Sequence, residues 1–488
     1  MMYNNQSSNH SVHSVQSSNR RKRPRKAKYV KKRPPAPNPA VPVVRDKKRT
    51  VSTHYNTNKR SRIDELTRHQ LIEKCTPPNL HHLLFSDDSP LNLKSVKNDV
   101  TARSIDGVVY MPDTFSLCDN INISIQTLRQ VISVLFVEQN HIQALFDYSN
   151  CHHIGIEAQA LMDVILSEFR KFVRKCNIHN RHPAASTFPK GFGGQNILDE
   201  DIQKLMFSVG SPANLRIKNK EFEDVLKLPM RSHCALTMND WENMVIQKEI
   251  DTTEIVDYVI ACLAIMKKKP TPDSLQDLST VVGEILINAE EHSTFRHRFS
   301  MAYFQDRKEN GKHYGLLRFV ILNLGATIYD NFSKNDQCPV AIIEKMRALS
   351  RQYTKFKLFK EKEFDEETLW TLYALQQGVT SVPGKRRGSG TIQFIRSFFN
   401  IKGSLEVDNI SKMVIMSGNT EIIFDGKYGI TERKDGKDKY NMMTFNKSGK
   451  IEDAPDPNYV RKSKHYFPGT IITASILLNE DDVNELIA

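Results

Sequence analysis

The 488-residue chain lacks any run of about 18 consecutive apolar residues, which excludes an ordinary membrane-spanning helix. Its first residues, MMYNNQSSNHS, lack the apolar core of a secretory signal, so no leader of that kind is expected. Paired cysteines are also missing. The seven cysteines, at 75, 118, 151, 176, 234, 262 and 338, stand singly with no CxxC among them. That pattern argues against a zinc site or a disulfide framework and for reduced thiols, so a cytoplasmic protein is expected. Internal repeats are lacking too, which removes the solenoid architectures.

What is present suffices for ordinary cores. Apolar residues make up 39% and charged residues 26% of the chain, and its length suits two or three domains at about 150 residues each. The net charge of +13 is concentrated at one end. Residues 1–62 carry 17 Lys and Arg against one acid, Asp46, a net +16, so the other 426 residues sum to −3.

Residues 1–75 combine Ser/Asn-rich, Lys/Arg-rich and Pro-rich stretches. Such a segment buries too little surface to offset its ordering entropy, and a disordered basic tail is expected. Its densest part, Arg20 to Arg33 (RRKRPRKAKYVKKR), suits nonspecific contact with nucleic-acid phosphates through counterion release. Anionic lipid is a second candidate, and a plain solubilising tail is the third.

From about 105 the pattern alternates strands and helices. Strands are expected over 108–111 and 142–148, and helices over 125–136, 158–173 and 202–209, the last stopped by Gly210. This predicts a small α/β domain over 105–225, with 211–245 as a connector. A third region, 246–488, opens with helical patterns over 255–266 and 275–291. A strand over 316–322, a polar helical insertion over 339–377, and a helix from 391 follow. The end reads as strands over 404–407, 413–417, 421–424 and 470–478.

Four short segments of that region carry chemistry. In the helix containing Val282-Gly-Glu284-Ile-Leu-Ile-Asn288, Glu284 and Asn288 share a face at a spacing of four, with His292 one turn on. A carboxylate there can orient water and an amide oxygen can ligate Mg²⁺. Asn323-Leu-Gly325 ends a strand with a polar side chain suited to the edge of a flat base. Arg386-Arg387-Gly388-Ser389-Gly390 opens a helix, where backbone N–H groups and arginines favour phosphate. Gly469-Thr470 opens the last strand and offers a hydroxyl. Each alone is an ordinary solvated face or turn; their order is what distinguishes them.

In that order the segments resemble the GHKL ATPases, the fold shared by gyrase-type ATPase domains, histidine-kinase catalytic domains and anti-sigma factor kinases. The resemblance implies a Bergerat-type α/β sandwich over 246–488 that binds ATP and Mg²⁺. Glu284 falls on the N-box as general base and Asn288 as Mg²⁺ ligand. Asn323 and Gly325 fall on the G1 box, Gly388 and Gly390, with Arg387 beside them, on the G2 box, and Thr470 on the terminal Gly-Thr pair. Asn323 departs from the family's Asp, and adds an N–H donor beside the acceptor.

Residues 142–161 (IQALFDYSNCHHIGIEAQAL) resemble STAS domains, the fold of anti-sigma factor antagonists. Asp147-Tyr-Ser149 matches the strand end, but no hydroxyl stands at 155–157, where the phosphoacceptor belongs. The adjacent His152 and His153 read as a loop pair rather than metal ligands. The expectation is thus an α/β (α+β) chain with a basic tail, a STAS-like domain and a GHKL-type ATPase. It would act as an ATP-driven switch on its own STAS-like module, on a protein partner or as a homodimer, with the insertion over 332–385 closing as a lid. A serine/threonine kinase of the anti-sigma type and a non-enzymatic scaffold are the alternatives.

Overall fold

The structure, a computed structural model, describes residues 68–139, 141–179, 183–209, 215, 220–234, 241–291, 293–309, 311–354, 363–381, 390–402, 407–435 and 438–480. The Arg20–Arg33 stretch lies outside them. At its end the expected tail is corrected. Residues 68–75 form helix α1, which buries Leu71, Ile72 and Cys75. These side chains supply the apolar burial that the basic stretch before them lacks. The guanidinium of Arg68 lies 4.6 Å from the centre of the Phe188 ring and donates to the Glu138 carbonyl at 2.8 Å.

Helices α2 (Pro78–Phe85) and α3 (Leu93–Asn98) lead into a βαβαβ unit. Its strands β1 (Val108–Tyr110), β3 (Gln143–Asp147) and β5 (Gly191–Gln195) are parallel, in the order β1-β3-β5. Helix α4 (Ile121–Ile132) joins the first pair and α5 (Ile156–His179) the second. A short parallel pair, β2 (Thr114–Phe115) with β4 (His153–Ile154), lies between them in sequence, and α6 (Glu200–Val209) follows. Gly210, expected to stop α6, is not among the described residues. The α/β expectation holds here.

The rest is built on one antiparallel sheet, in the order β6-β7-β8-β12-β9. Its strands are β6 (Val225–Cys234), β7 (His297–Glu309), β8 (Lys312–Leu324), β9 (Lys412–Phe424) and β12 (Val460–Asn479). Helices α7 (Trp241–Ile265), α8 (Pro272–Glu291), α9 (Asp330–Ser333), α10 (Val340–Thr354), α11 (Glu366–Ala374) and α12 (Gly390–Lys402) complete this half. The hairpin β10 (Thr431–Asp435) and β11 (Asp438–Met442) stands apart from the sheet.

The sheet is apolar on both faces. Ala302, Phe304, Leu317, Ile321, Met413, Ile415, Ala474 and Ile476 share a core with α7, α8, α11 and α12. The alternate residues Phe299, Met301, Val320, Leu322, Val414 and Met416 share a core with α4, α5 and the parallel unit. Helix α5 is therefore buried on most sides along its first five turns, with Leu161, Met162, Val164, Ile165, Leu166, Phe169 and Phe172 buried and Gln159, Asp163 and Glu168 buried among them. Polar contacts border this packing: Lys412 Nζ meets Asp119 at 2.6 Å, and Arg307 meets Asp201 at 2.6 Å.

Several expectations are corrected by this two-sided burial. The stretch 211–245 is not only a connector, because β6 within it forms a sheet edge, where Pro229 and a register shift between Leu228 and Arg231 are tolerated. Strand β7 goes unforeseen because a strand buried on both faces shows no polar alternation. The expected strands 413–417 and 421–424 are one strand, continuous through Gly418 in the left-handed region at φ 57°. The last strand begins at Val460, ten residues earlier than expected. Residues 403–406, which cover most of the expected 404–407 strand, are outside the described residues. In the expected insertion, α11 belongs to the core, with Leu369, Trp370, Leu372 and Tyr373 buried. Among the described residues no helix is long and apolar enough to cross a membrane.

Candidate functional site

Helix α8 follows from its pattern: Leu278, Val281, Val282, Ile285 and Leu286 are buried at spacings of three and four. Gly283 faces α7, where an added Cβ would make an ordinary contact with Thr252 at 3.7 Å. Glu284 and Asn288, four apart on the same helix, are both half-buried. His292, one residue beyond α8, is outside the described residues.

The last turn of α8 meets the end of β8. Asn323 Nδ2 donates to the Ala289 carbonyl at 2.7 Å, and Asn323 Oδ1 accepts the Thr470 N–H at 3.0 Å. Ala289 directly follows Asn288, so three of the four sequence segments converge here. The Thr470 and Ser417 hydroxyls are 2.9 Å apart, and Ser417 Oγ also lies 3.0 Å from the Gly469 carbonyl. The fourth segment is only partly described. Gly390 is the first residue of α12, which packs along α8, whereas Arg387 and Gly388 lie outside the described residues.

The two glycines serve the chain itself. Gly325 adopts φ 121°, donates its N–H to the Pro468 carbonyl, and would place a Cβ 2.5 Å from Thr294 Oγ1. Gly469, at φ 145°, would place one 2.2 Å from the Asn323 carbonyl oxygen. Their missing side chains let β8, β12 and the loop after α8 meet, so close approach to a ligand is not needed to explain them. The Asn at 323 has a similar local reason. A carboxylate could accept from Thr470 but could not donate to Ala289.

Asn323 belongs to a polar row that crosses the sheet. The register places His233 opposite Arg298, Arg298 opposite Asn323, Asn323 opposite Thr470 and Thr470 opposite Ser417. Four of these five face the helices, where the neighbouring rungs of β8, β12 and β9 carry Ile321, Ile472 and Ile415; His233 does so through its bond to Glu290. Arg298, with 0% side-chain exposure, donates from Nε to Glu290 at 2.8 Å and from Nη2 to Asp251 at 2.6 Å. His233 Nδ1 also bonds Glu290 Oε1. Sequence reasoning misses Arg298, Asp251, Glu290, His233 and Ser417. The one available signal was a charged residue entering the apolar run Phe299 to Phe304.

On the opposite face His297 bridges Asn79 of α2 and Ser232 of β6, the latter at 2.7 Å. Burial, helped by the nearby charges of Lys171 and Arg298, pulls its pKa from 6.5 down to about 4. Helix α2 reaches the turn at Gly325 as well. The His82 ring sits 6.0 Å from that of Phe295 and beside the backbone of Gly325, and burial lowers its pKa.

No family model, curated protein or solved structure matches this chain. The geometry stands on its own. Among the described residues no cluster of three or more His, Cys, Asp or Glu is placed to hold a metal.

Proposed function

We propose that 246–488 is a GHKL-type module that binds ATP with Mg²⁺ and acts as a regulatory switch on the STAS-like half, 105–225. The observation carrying this reading is the convergence at Asn323, whose one amide ties the helix turn after Asn288 to Gly469-Thr470. Segments 35 and 147 residues apart in sequence thereby meet at one end of the sheet. The sandwich reading is supported by the layer of α7, α8, α11 and α12 on one face of the antiparallel sheet, the other face being taken by α4 and α5.

In this reading Asn288 would hold Mg²⁺ through its amide oxygen, the hard donor type that ion prefers. The ion would neutralise phosphate charge. Glu284, one turn earlier on the same helix, orients the attacking water and takes its proton. Arg387, Gly388 and Gly390 receive the phosphates at the start of α12. Thr470 and Asn323 offer acceptors to an amino group of the base. Asn323 Oδ1 already accepts one bond from Thr470, so it contributes only its second lone pair.

The STAS-like reading is supported by the parallel order β1-β3-β5 and by Asp147 at the end of β3, which caps the Ser149 N–H at 2.9 Å. At the position of the absent hydroxyl, Glu157 accepts from Ser116 Oγ at 2.7 Å and from the Leu117 N–H at 3.0 Å. Coupling between the halves is supported by α2, which packs on α5 of the STAS-like half and touches Gly325 through His82 and β7 through His297. The Arg20–Arg33 stretch would bring the chain to nucleic acid without sequence preference, and its affinity would fall steeply with salt. A protein partner or a second copy would receive the output, in the cytoplasm that the reduced thiols imply.

The test is direct. Purified protein with Mg²⁺ and millimolar ATP should melt several degrees higher and release phosphate slowly. Glu284→Ala should stop the release while leaving the melting shift. An unshifted melting curve with no phosphate release would refute the nucleotide reading.

A further inference from the structure

We infer that Arg298 is a positioning residue for the nucleotide site, setting the last turn of α8 and with it Asn288; this rests on the proposed nucleotide reading. The argument begins with cost. A fully buried guanidinium held between two buried carboxylates seldom adds stability over an apolar trio of the same volume, because three ions must leave water. Arg298 is 0% exposed, and Asp251 and Glu290 are 3% and 4% exposed in their side chains. Arg298 Nη1 has no hydrogen-bond partner among the described residues. A core built for stability alone would put an apolar side chain here, as β7 does further along the same face with Ala302 and Phe304.

What the cluster provides is geometry. Arg298 reaches α7 through Asp251 and α8 through Glu290 with one planar fork, and Gln247 holds the second oxygen of Asp251 at 2.9 Å. His233 takes Glu290 from the neighbouring strand. Glu290 lies two residues after Asn288 and one after Ala289, whose carbonyl Asn323 holds. The final turn of α8 is thus gripped at two consecutive residues by one rung of the sheet, from two adjacent strands. Helix ends fray because their last carbonyls lack intrahelical partners. Fraying here would displace Asn288, and a ligand held within a few tenths of an ångström needs a rigid support.

The experiment uses the full chain. Arg298→Met alone strands two buried carboxylates and can fail to fold, so Asp251→Asn/Glu290→Gln/Arg298→Met, which removes all three charges, is the informative variant. It should stay folded with a melting temperature near that of the parent. Its Mg-ATP kcat should fall ~10–100-fold, the usual effect of losing a supporting contact, while KM changes less than about threefold. A purely structural role predicts a changed melting temperature with an unchanged kcat, and that result overturns the inference. Hydrogen exchange supplies a second readout that needs no nucleotide. The amides of 286–291 should exchange at least ~10-fold faster in the triple variant, with the amides of β8 and β12 unchanged. Should the parent bind no ATP, the nucleotide reading falls while the exchange result still decides whether Arg298 sets this turn. Equal exchange in both proteins rejects it.

Discussion

Arg298 and Asn323 stand directly opposite each other on adjacent strands, and their side chains hold consecutive residues of one helix. Asn323 takes the carbonyl of Ala289, and Arg298 takes the carboxylate of Glu290. The strand pairing thereby sets where α8 ends, and so where its polar face lies relative to the sheet.

Asn323→Asp should weaken the protein. The carboxylate would face the Ala289 carbonyl with no proton to donate, and a buried acceptor would be left unsatisfied at a cost of about 1–3 kcal/mol. Urea denaturation of the two proteins measures this. An equally stable Asp variant would show that the amide donor is dispensable.

Gly469→Ala tests the close approach of β12 to β8. At φ 145° an added Cβ would meet the Asn323 carbonyl oxygen at 2.2 Å, so backbone must shift. Strain of this kind costs of order 1–3 kcal/mol. The melting temperature should drop by several degrees, and the Asn323–Thr470 contact should loosen with it.

Acidification should destabilise the protein between about pH 6.5 and pH 4 through His297. Its folded pKa of about 4 lies below the ordinary 6.5, so the unfolded chain binds the extra proton in that window. Stability is complete above pH 6.5 and is lost as pH falls, by up to roughly 3 kcal/mol. Comparing stability at pH 7 and pH 4.5 for the parent and His297→Gln isolates the effect. The variant should lose less on acidification, and equal losses would assign the pH dependence to other groups.

The two halves should not be separable. A fragment of residues 241–488 would expose Phe299, Met301, Val320, Leu322, Val414 and Met416, which the α4–α5 half now covers. It should bind a hydrophobic dye and aggregate, and coexpression with residues 1–240 should rescue it. A monodisperse, dye-silent fragment would show that this face tolerates water.

Much of the architecture was legible in the residues alone. The spacing of Leu278, Val281, Val282 and Ile285 specifies an amphipathic helix wherever it packs, and Gln143 to Asp147 reads as a strand by the same local rule. Glu284 and Asn288 shared a face for the same reason. Strand β7 was invisible because periodicity reports one-sided burial, and this sheet is covered on both faces. The length of β12 and the edge strand β6 likewise depended on partners far along the chain.

Local sequence thus determined helices such as α5, α6 and α8, where the charge of the tail lies, and which polar pairs share a helix face, since those depend on residues a few positions apart. It did not reveal α1, α2 or α3. Only the tertiary structure decided that His233, Arg298, Asn323, Thr470 and Ser417 form one row. Strand register is set by side chains that meet across the sheet, from segments as far apart as 233 and 470, and no local pattern encodes such a meeting.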